Sequence, residues 1–200
     1  MGVVLGAQQF SPAPPLAIAQ LLPEPKALPD LALENQRGEP VSSNSFDGHW
    51  SLLFFGFTSC PDFCPLELQK LGKVLNLMGA GDELQVVFVS VDPERDGREK
   101  LADYVGFFHP QIIGLRGSNP ELAKFAQFFG AAYDRSAILD GNLLSIPAGI
   151  NMPTNVGDQY QVNHSTRLFV VNPAGKYIGS FASPYTVEEI LVDMQNLLDR

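Results

Sequence analysis

Cys60 and Cys64 are the only cysteines in this 200-residue chain, and three residues separate them in the run Phe57-Thr58-Ser59-Cys60-Pro61-Asp62-Phe63-Cys64-Pro65. A cysteine at the start of a helix feels the positive end of the helix dipole and unpaired backbone N–H groups. Both favour the thiolate, the form that attacks electrophiles and binds soft metals. If the chain is helical from Asp62 onward, the two sulfurs lie on one side, close enough to share a metal or to form a disulfide. A disulfide closing so short a loop would remove little chain entropy, so it would be a weak staple. A dithiol oxidoreductase usually places two residues between its cysteines and faces them with an X-Pro turn. This chain has three, and Tyr160-Gln161-Val162-Asn163-His164-Ser165-Thr166, which enters the late strand, contains no proline. His164 stands where that turn would be. Two thiolates and one imidazole form an S₂N donor set. Such a set suits Cu(I), and Cu(II) if a water or carboxylate is added. Zinc would want a fourth ligand, and none is obvious in the sequence.

The elements around these residues set their positions. Ser51–Phe57 is an unbroken apolar run, the pattern of a central strand covered on both faces. Pro65–Met78 then places Leu66, Leu68, Leu71, Val74, Leu75 and Met78 at largely helical spacing before Gly79 and Gly81. Leu84–Val91 reads as a second buried strand and Ile112–Leu115 as a short third one. Asp96–Phe108 and Asn119–Phe129 read as helices, the latter capped by Ser118 or Asn119 with Pro120 at its first position. Arg167–Val171, the turn Asn172-Pro173-Ala174-Gly175 and Lys176–Phe181 make a hairpin, and Thr186–Leu198 a closing amphipathic helix. Leu31–Leu33 and Pro40–Ser42 flank a Gly-containing turn and predict a small N-terminal hairpin. Residues 136–160, rich in Gly, Pro and Asn, are too long for a plain connection and read as an inserted loop or hairpin. This β-α-β-α-β-α order, followed by an insertion and β-β-α, predicts an α/β fold. Its expected form is three-layered, with a mixed central sheet and flanking helices, in the order of the thioredoxin-like topology.

Composition limits the partners. Thirteen basic against 22 acidic residues give a net charge of −9, and Lys and Arg are scattered, so nucleic acid is not expected to bind. The first 23 residues carry no charge, yet Gln8, Gln9 and Gln20 interrupt them and Pro12, Pro14 and Pro15 would break a spanning helix. Residues 1–27 therefore read as a flexible proline-rich tail, with 1–10 a possible remnant of a signal or membrane anchor. Residues 28–200 form the functional domain.

The run Phe55–Pro65 resembles the Sco/SenC family of copper proteins, as does Val89-Ser90-Val91-Asp92-Pro93-Glu94-Arg95-Asp96. Val162-Asn163-His164-Ser165 is similar to that family's metal-binding histidine segment. Three separated motifs in order are a specific match, covering about residues 28–200. The resemblance implies a copper ion held by Cys60, Cys64 and His164 in a thioredoxin-like domain; a monomer is the expected state, on which the sequence itself is silent. It implies a location on the periplasmic side of a bacterial inner membrane or in the mitochondrial intermembrane space, tethered to the membrane or soluble. It also implies a role in assembling the binuclear copper centre of cytochrome c oxidase subunit II, with another copper chaperone as a further partner. Copper delivery and reduction of the target's cysteines are both open. Many members carry Asp where this chain has Asn163, a change expected to alter hydrogen bonding around the histidine ring. The competing reading is a thiol–disulfide oxidoreductase or thiol peroxidase working through Cys60 and Cys64 as a redox pair, with His164 dispensable.

Asp92 follows the second buried strand, so it is expected near the same sheet edge. There it would orient His164, supply a weak carboxylate ligand, or cap a turn. His49 precedes the first buried strand, far from the cysteines, and reads as a surface residue. His109 ends a helix before Pro110 and is expected to cap its last carbonyls. Met152 reads as packing rather than as a thioether ligand, and the 14 phenylalanines as core.

Overall fold

The computed structural model describes residues 15–79 and 83–199. Most of the uncharged start, including the expected anchor remnant at 1–10, lies outside the described residues. The strands are β1 (Gln20–Ala27), β2 (Leu33–Asn35), β3 (Pro40–Val41), β4 (Trp50–Gly56), β5 (Leu84–Ser90), β6 (Ile112–Arg116), β7 (Tyr133–Leu139), β8 (Asn142–Pro147), β9 (Tyr160–His164), β10 (Leu168–Asn172) and β11 (Lys176–Phe181). The α-helices are α1 (Phe63–Leu77), α2 (Arg98–Phe108), α3 (Asn119–Phe129) and α4 (Val187–Leu198).

The main sheet has the order β1-β11-β10-β4-β5-β6-β2-β3. Strands β4, β5 and β6 run parallel, and β10 joins β4 antiparallel. The mixed sheet expected from the element order is therefore present. Successive residues of a strand point to opposite faces, which explains why its central strands have no polar alternation. Leu52, Phe54, Val86, Phe88 and Val170 face α1, α2 and α4. Leu53, Phe55, Val87, Val89 and Phe169 face α3, through Leu122, Phe125 and Phe129. Helices thus cover both faces.

Local signals mark the helix ends. Ser118 caps α3 by accepting from Glu121 N–H, with Pro120 at its second rather than its first position. Thr186 and Glu189 form a reciprocal capping box on α4. Helix α2 starts at Arg98 rather than at Asp96, whose carboxylate is engaged elsewhere. In the N-terminal hairpin, β2 begins two residues later than the apolar run suggested, because Leu33 and Asn35 are the inward-facing positions.

Two larger departures come from tertiary pairing. Residues 20–27, expected as tail, form β1 and pair antiparallel with β11. Pro23 and Pro25, which lack an N–H, are tolerated because β1 is an edge strand whose register shifts between Leu21 and Lys26. Just upstream, the buried Asp193 of α4 accepts backbone N–H bonds from Ala17, Ile18 and Ala19 at 2.5, 2.9 and 2.7 Å. The second departure is the insertion. A hairpin of β7 and β8 is present, but β7 starts at Tyr133 and also pairs with β9, giving a separate three-stranded sheet in the order β8-β7-β9. That small sheet carries His164.

Candidate metal centre

Cys60 sits in the loop between β4 and α1, partly exposed, and Cys64 is the second residue of α1, with no measurable exposure. Both are free thiols. The Cys64 N–H, unpaired at the start of the helix, points at Cys60 Sγ at 3.4 Å. Gly56, the last residue of β4, makes room for the second sulfur. A Cβ there would lie 2.8 Å from Cys64 Sγ and 2.7 Å from the Phe88 ring. Gly56→Ala is therefore expected to cost about 1–3 kcal/mol in urea unfolding, through overpacking. It should also make the Cys64 thiol more reactive toward a disulfide reagent. A variant matching the parent in both midpoint and thiol reactivity would show that the sulfur does not need this gap.

His164 ends β9, directly across from Tyr133 of β7. Its Nε2 lies 3.4 Å from Cys64 Sγ, and its Nδ1 lies 3.0 Å from the Ser165 carbonyl. A ring nitrogen facing a carbonyl carries the proton, which leaves the Nε2 lone pair toward the cysteines. The edges and faces of Phe54, Phe57 and Phe63 surround the ring at 5.8, 5.7 and 6.3 Å between centroids. These three were expected only as core, yet they form the walls that hold the imidazole. One sulfur from each cysteine and one His164 nitrogen lie within 4.8 Å of one another.

Burial governs the protonation of this cluster. It pushes the His164 imidazole below its ordinary range, although carbonyls of Ser165 and Phe55 oppose the shift. It pushes the Cys64 thiol well above the usual cysteine range, and the hydrogen bond involving Phe57 offsets only part of this. The thiolate expected for a cysteine at a helix start is therefore overruled at Cys64. The apo site holds a neutral thiol beside a neutral imidazole.

Asp92 does not orient the histidine. Its carboxylate accepts from Arg95 Nε at 2.5 Å and from the Tyr160 hydroxyl, and its backbone carbonyl accepts from Arg95 and Asp96 N–H at 3.2 and 3.0 Å. It caps a turn and ties β9 to it, while the Ser165 carbonyl aligns the ring. Asn163 does not reach the ring either, because alternate side chains along a strand face opposite ways. Its amide donates to Asp134 Oδ1 at 2.9 Å. His49, next to β4, lies at the end of that strand away from the cysteines. The His109 ring accepts from Gln111 N–H at 3.2 Å instead of capping carbonyls. Met152 lies outside the cluster, its N–H donating to Glu94 Oε1 at 2.8 Å.

The turn after β5 also supplies residues that the sequence reading gave no role. Buried Asp96 accepts from Thr58 N–H at 2.9 Å, Thr58 Oγ1 at 2.5 Å and Ser90 Oγ at 2.6 Å, which fixes the cysteine loop. Arg95 stacks on the Tyr160 ring at 3.8 Å and donates to the carbonyls of Asp158 and Tyr160 at 3.2 and 3.1 Å. The available signal was position, since charged residues directly after a buried parallel strand fall at the sheet's functional edge.

The fold and this cluster define a thioredoxin-like domain whose cysteine pair faces a histidine donor. The family model described as SCO1/SenC matches residues 22–199. The chain belongs to the SCO1/SenC family. It is 34% identical over 165 residues to the mouse (Mus musculus) mitochondrial protein SCO2 homolog, covering 81% of this chain and 58% of that protein. The chain thus spans under two thirds of that relative's length. Yeast Sco1 with copper bound superposes with a TM-score of 0.72 at 28% identity, covering 88% of this chain and 90% of that one. Apo Sco1 from Thermus thermophilus gives 0.70 at 33% identity, covering 90% and 95%. No helix of the described residues is long and apolar enough to cross a membrane.

Proposed function

We propose that this protein is a copper metallochaperone that binds Cu(I) or Cu(II) through Cys60, Cys64 and His164 and helps assemble the binuclear copper centre of cytochrome c oxidase subunit II. The observation that carries the reading is the set of two sulfurs and one imidazole nitrogen within 4.8 Å, on three separately anchored elements. Soft donors in low number suit Cu(I), and neutral His164 keeps its lone pair available. Of the two thiols only Cys60 is partly exposed, so an incoming thiolate from another copper chaperone or from the target approaches on its side. Family membership and the copper-bound yeast relative support the same assignment. The compartment that fits is the periplasmic side of a bacterial inner membrane or the mitochondrial intermembrane space.

Anaerobic titration of the reduced protein is expected to saturate at about one copper per chain, with a thiolate charge-transfer band in the visible for Cu(II). His164→Ala should weaken Cu(II) binding and shift that band. A variant with the parent's affinity and spectrum would overturn the three-ligand site. A second reading, favoured by one partly exposed and one buried thiol around the start of α1, is a thiol–disulfide reductase acting on the target's cysteines. Turnover of a disulfide substrate by metal-free protein, retained in His164→Ala, would support it. Oxidation of the pair would also release copper, so the two activities would alternate rather than coincide.

A further inference from the structure

His164 stands on the small sheet and the cysteines on the loop and helix that follow β4 of the large one, so something must fix the small sheet against the large one. Arg135 of β7 has no exposed side-chain surface although it is a cation. Its Nη1 donates to Glu94 Oε2 at 2.8 Å and its Nη2 to the Ile150 carbonyl. Glu94 Oε1 accepts from Asn119 Nδ2 and from Met152 N–H, both at 2.8 Å. One carboxylate therefore gathers β7, the loop after β8 and the start of α3. Arg135 lies opposite Val162 of β9, two residues before His164, in the ladder that sets Tyr133 opposite His164. On the other side, Glu94 shares its turn with Asp96, which holds Thr58 two residues before Cys60.

We propose that the pair formed by buried Arg135 and the partly exposed Glu94 is a positioning latch that sets the reach of His164 toward Cys60 and Cys64, acting through β7 and β9 on one side and the 92–96 turn on the other. A buried guanidinium paired with a carboxylate has few alternative partners, so it holds a single geometry where surface pairs would slide. A second tie, from Tyr160 and Arg95 to Asp92, holds the start of β9. Arg135 holds the strand behind it, so loss of the latch loosens the arm without releasing it. The metal consequence rests on the copper reading above, whereas the effect on the arm does not.

The test uses the full chain with Arg135→Lys, Arg135→Met and Glu94→Gln. Lysine keeps the charge but cannot span Glu94 and the Ile150 carbonyl together. In metal-free protein, amides of residues 161–164 are expected to exchange about tenfold faster in Arg135→Lys than in the parent, while β4 and β5 amides keep their protection. On Cu(II) titration, half-saturation should rise about tenfold and the thiolate band should move toward that of His164→Ala. Cu(I) binding should change much less. Adding Glu94→Gln to Arg135→Met should produce little further change, because both remove the same contact. Parent-like exchange in folded Arg135→Lys and Glu94→Gln would overturn the latch, as would loosening spread evenly over all strands. If the parent takes up no copper, the function proposed above fails, and the exchange measurement still decides the latch.

Discussion

Replacing Asp96 with alanine is expected to lower the free energy of unfolding by about 3–5 kcal/mol, because it removes a buried carboxylate on which several donors converge. The carboxylate is buried and accepts three hydrogen bonds, two from Thr58 and one from Ser90. Its removal leaves the Thr58 N–H and two hydroxyls without their acceptor, the Ser90 hydroxyl fully buried. Against a typical total of about 5–15 kcal/mol, the loss is a large share of the whole. The damage should centre on the loop carrying Cys60. Urea unfolding gives the energy, and Cys60 alkylation rates in native buffer give the location. Asp96→Asn should fall between parent and alanine variant, since its amide accepts through one oxygen only. An alanine variant within about 0.5 kcal/mol of the parent, the spread of ordinary surface substitutions, would sink this account.

Copper affinity should rise steeply with pH. Burial holds Cys64 as a thiol throughout the neutral range, so its conversion to a metal-bound thiolate must release a proton. That one proton alone predicts a gain of about tenfold per pH unit, or about 100-fold between pH 6 and 8. His164 adds nothing over most of this window, because burial already keeps it neutral. The metal-free fold should follow the same two groups with opposite signs. The lowered imidazole makes the unfolded chain bind more protons below about pH 6.5, so stability falls as the solution is acidified through that value. The raised thiol does the reverse: its contribution is complete below about pH 8.5 and is lost as pH rises above it. A stability plateau between those limits is expected in reducing buffer. Titrations in buffers of different ionisation enthalpy count the protons released per copper. An affinity flat from pH 6 to 8 would show that Cys64 is not a thiolate ligand.

The cysteine pair, the histidine and the strands around them were legible in the sequence because each leaves a local mark. A continuous apolar run such as Ser51–Phe57 has one economical reading, and a helix start beside paired cysteines has few. Residues acting over long sequence distances were not legible. Turn capping, one of the readings open for Asp92, is what the backbone shows, but nothing in Val89–Asp96 announces that Tyr160 is its side-chain partner, 68 residues away. The helix start did suggest a thiolate at Cys64. Whether burial outweighs the dipole depends on packing by Phe88 and Phe54, which no local pattern records. Asn163 likewise has a partner set by strand pairing, Asp134, whereas the partner of the His109 ring, Gln111, is local. Residues 20–27 were not legible as a strand for a similar reason: their partner, β11, lies near the other end of the chain.

The clasp of Asp193 on residues 17–19 and the pairing of β1 with β11 bear on where the protein can be shortened. β11 is half of a hydrophobic hairpin, with Tyr177, Ile178, Ser180 and Phe181 buried. With β1 in place, the outermost strand of that side is a bulged one carrying two prolines, Glu24 and Lys26. These are features that discourage a second chain from adding on. A chain cut at Leu28, where the apolar patterning of the sequence begins, would bare the whole backbone ladder of β11 and leave Asp193 buried without its donors. Self-association through that open edge is the expected outcome, so the least chain that can live alone begins near Leu16.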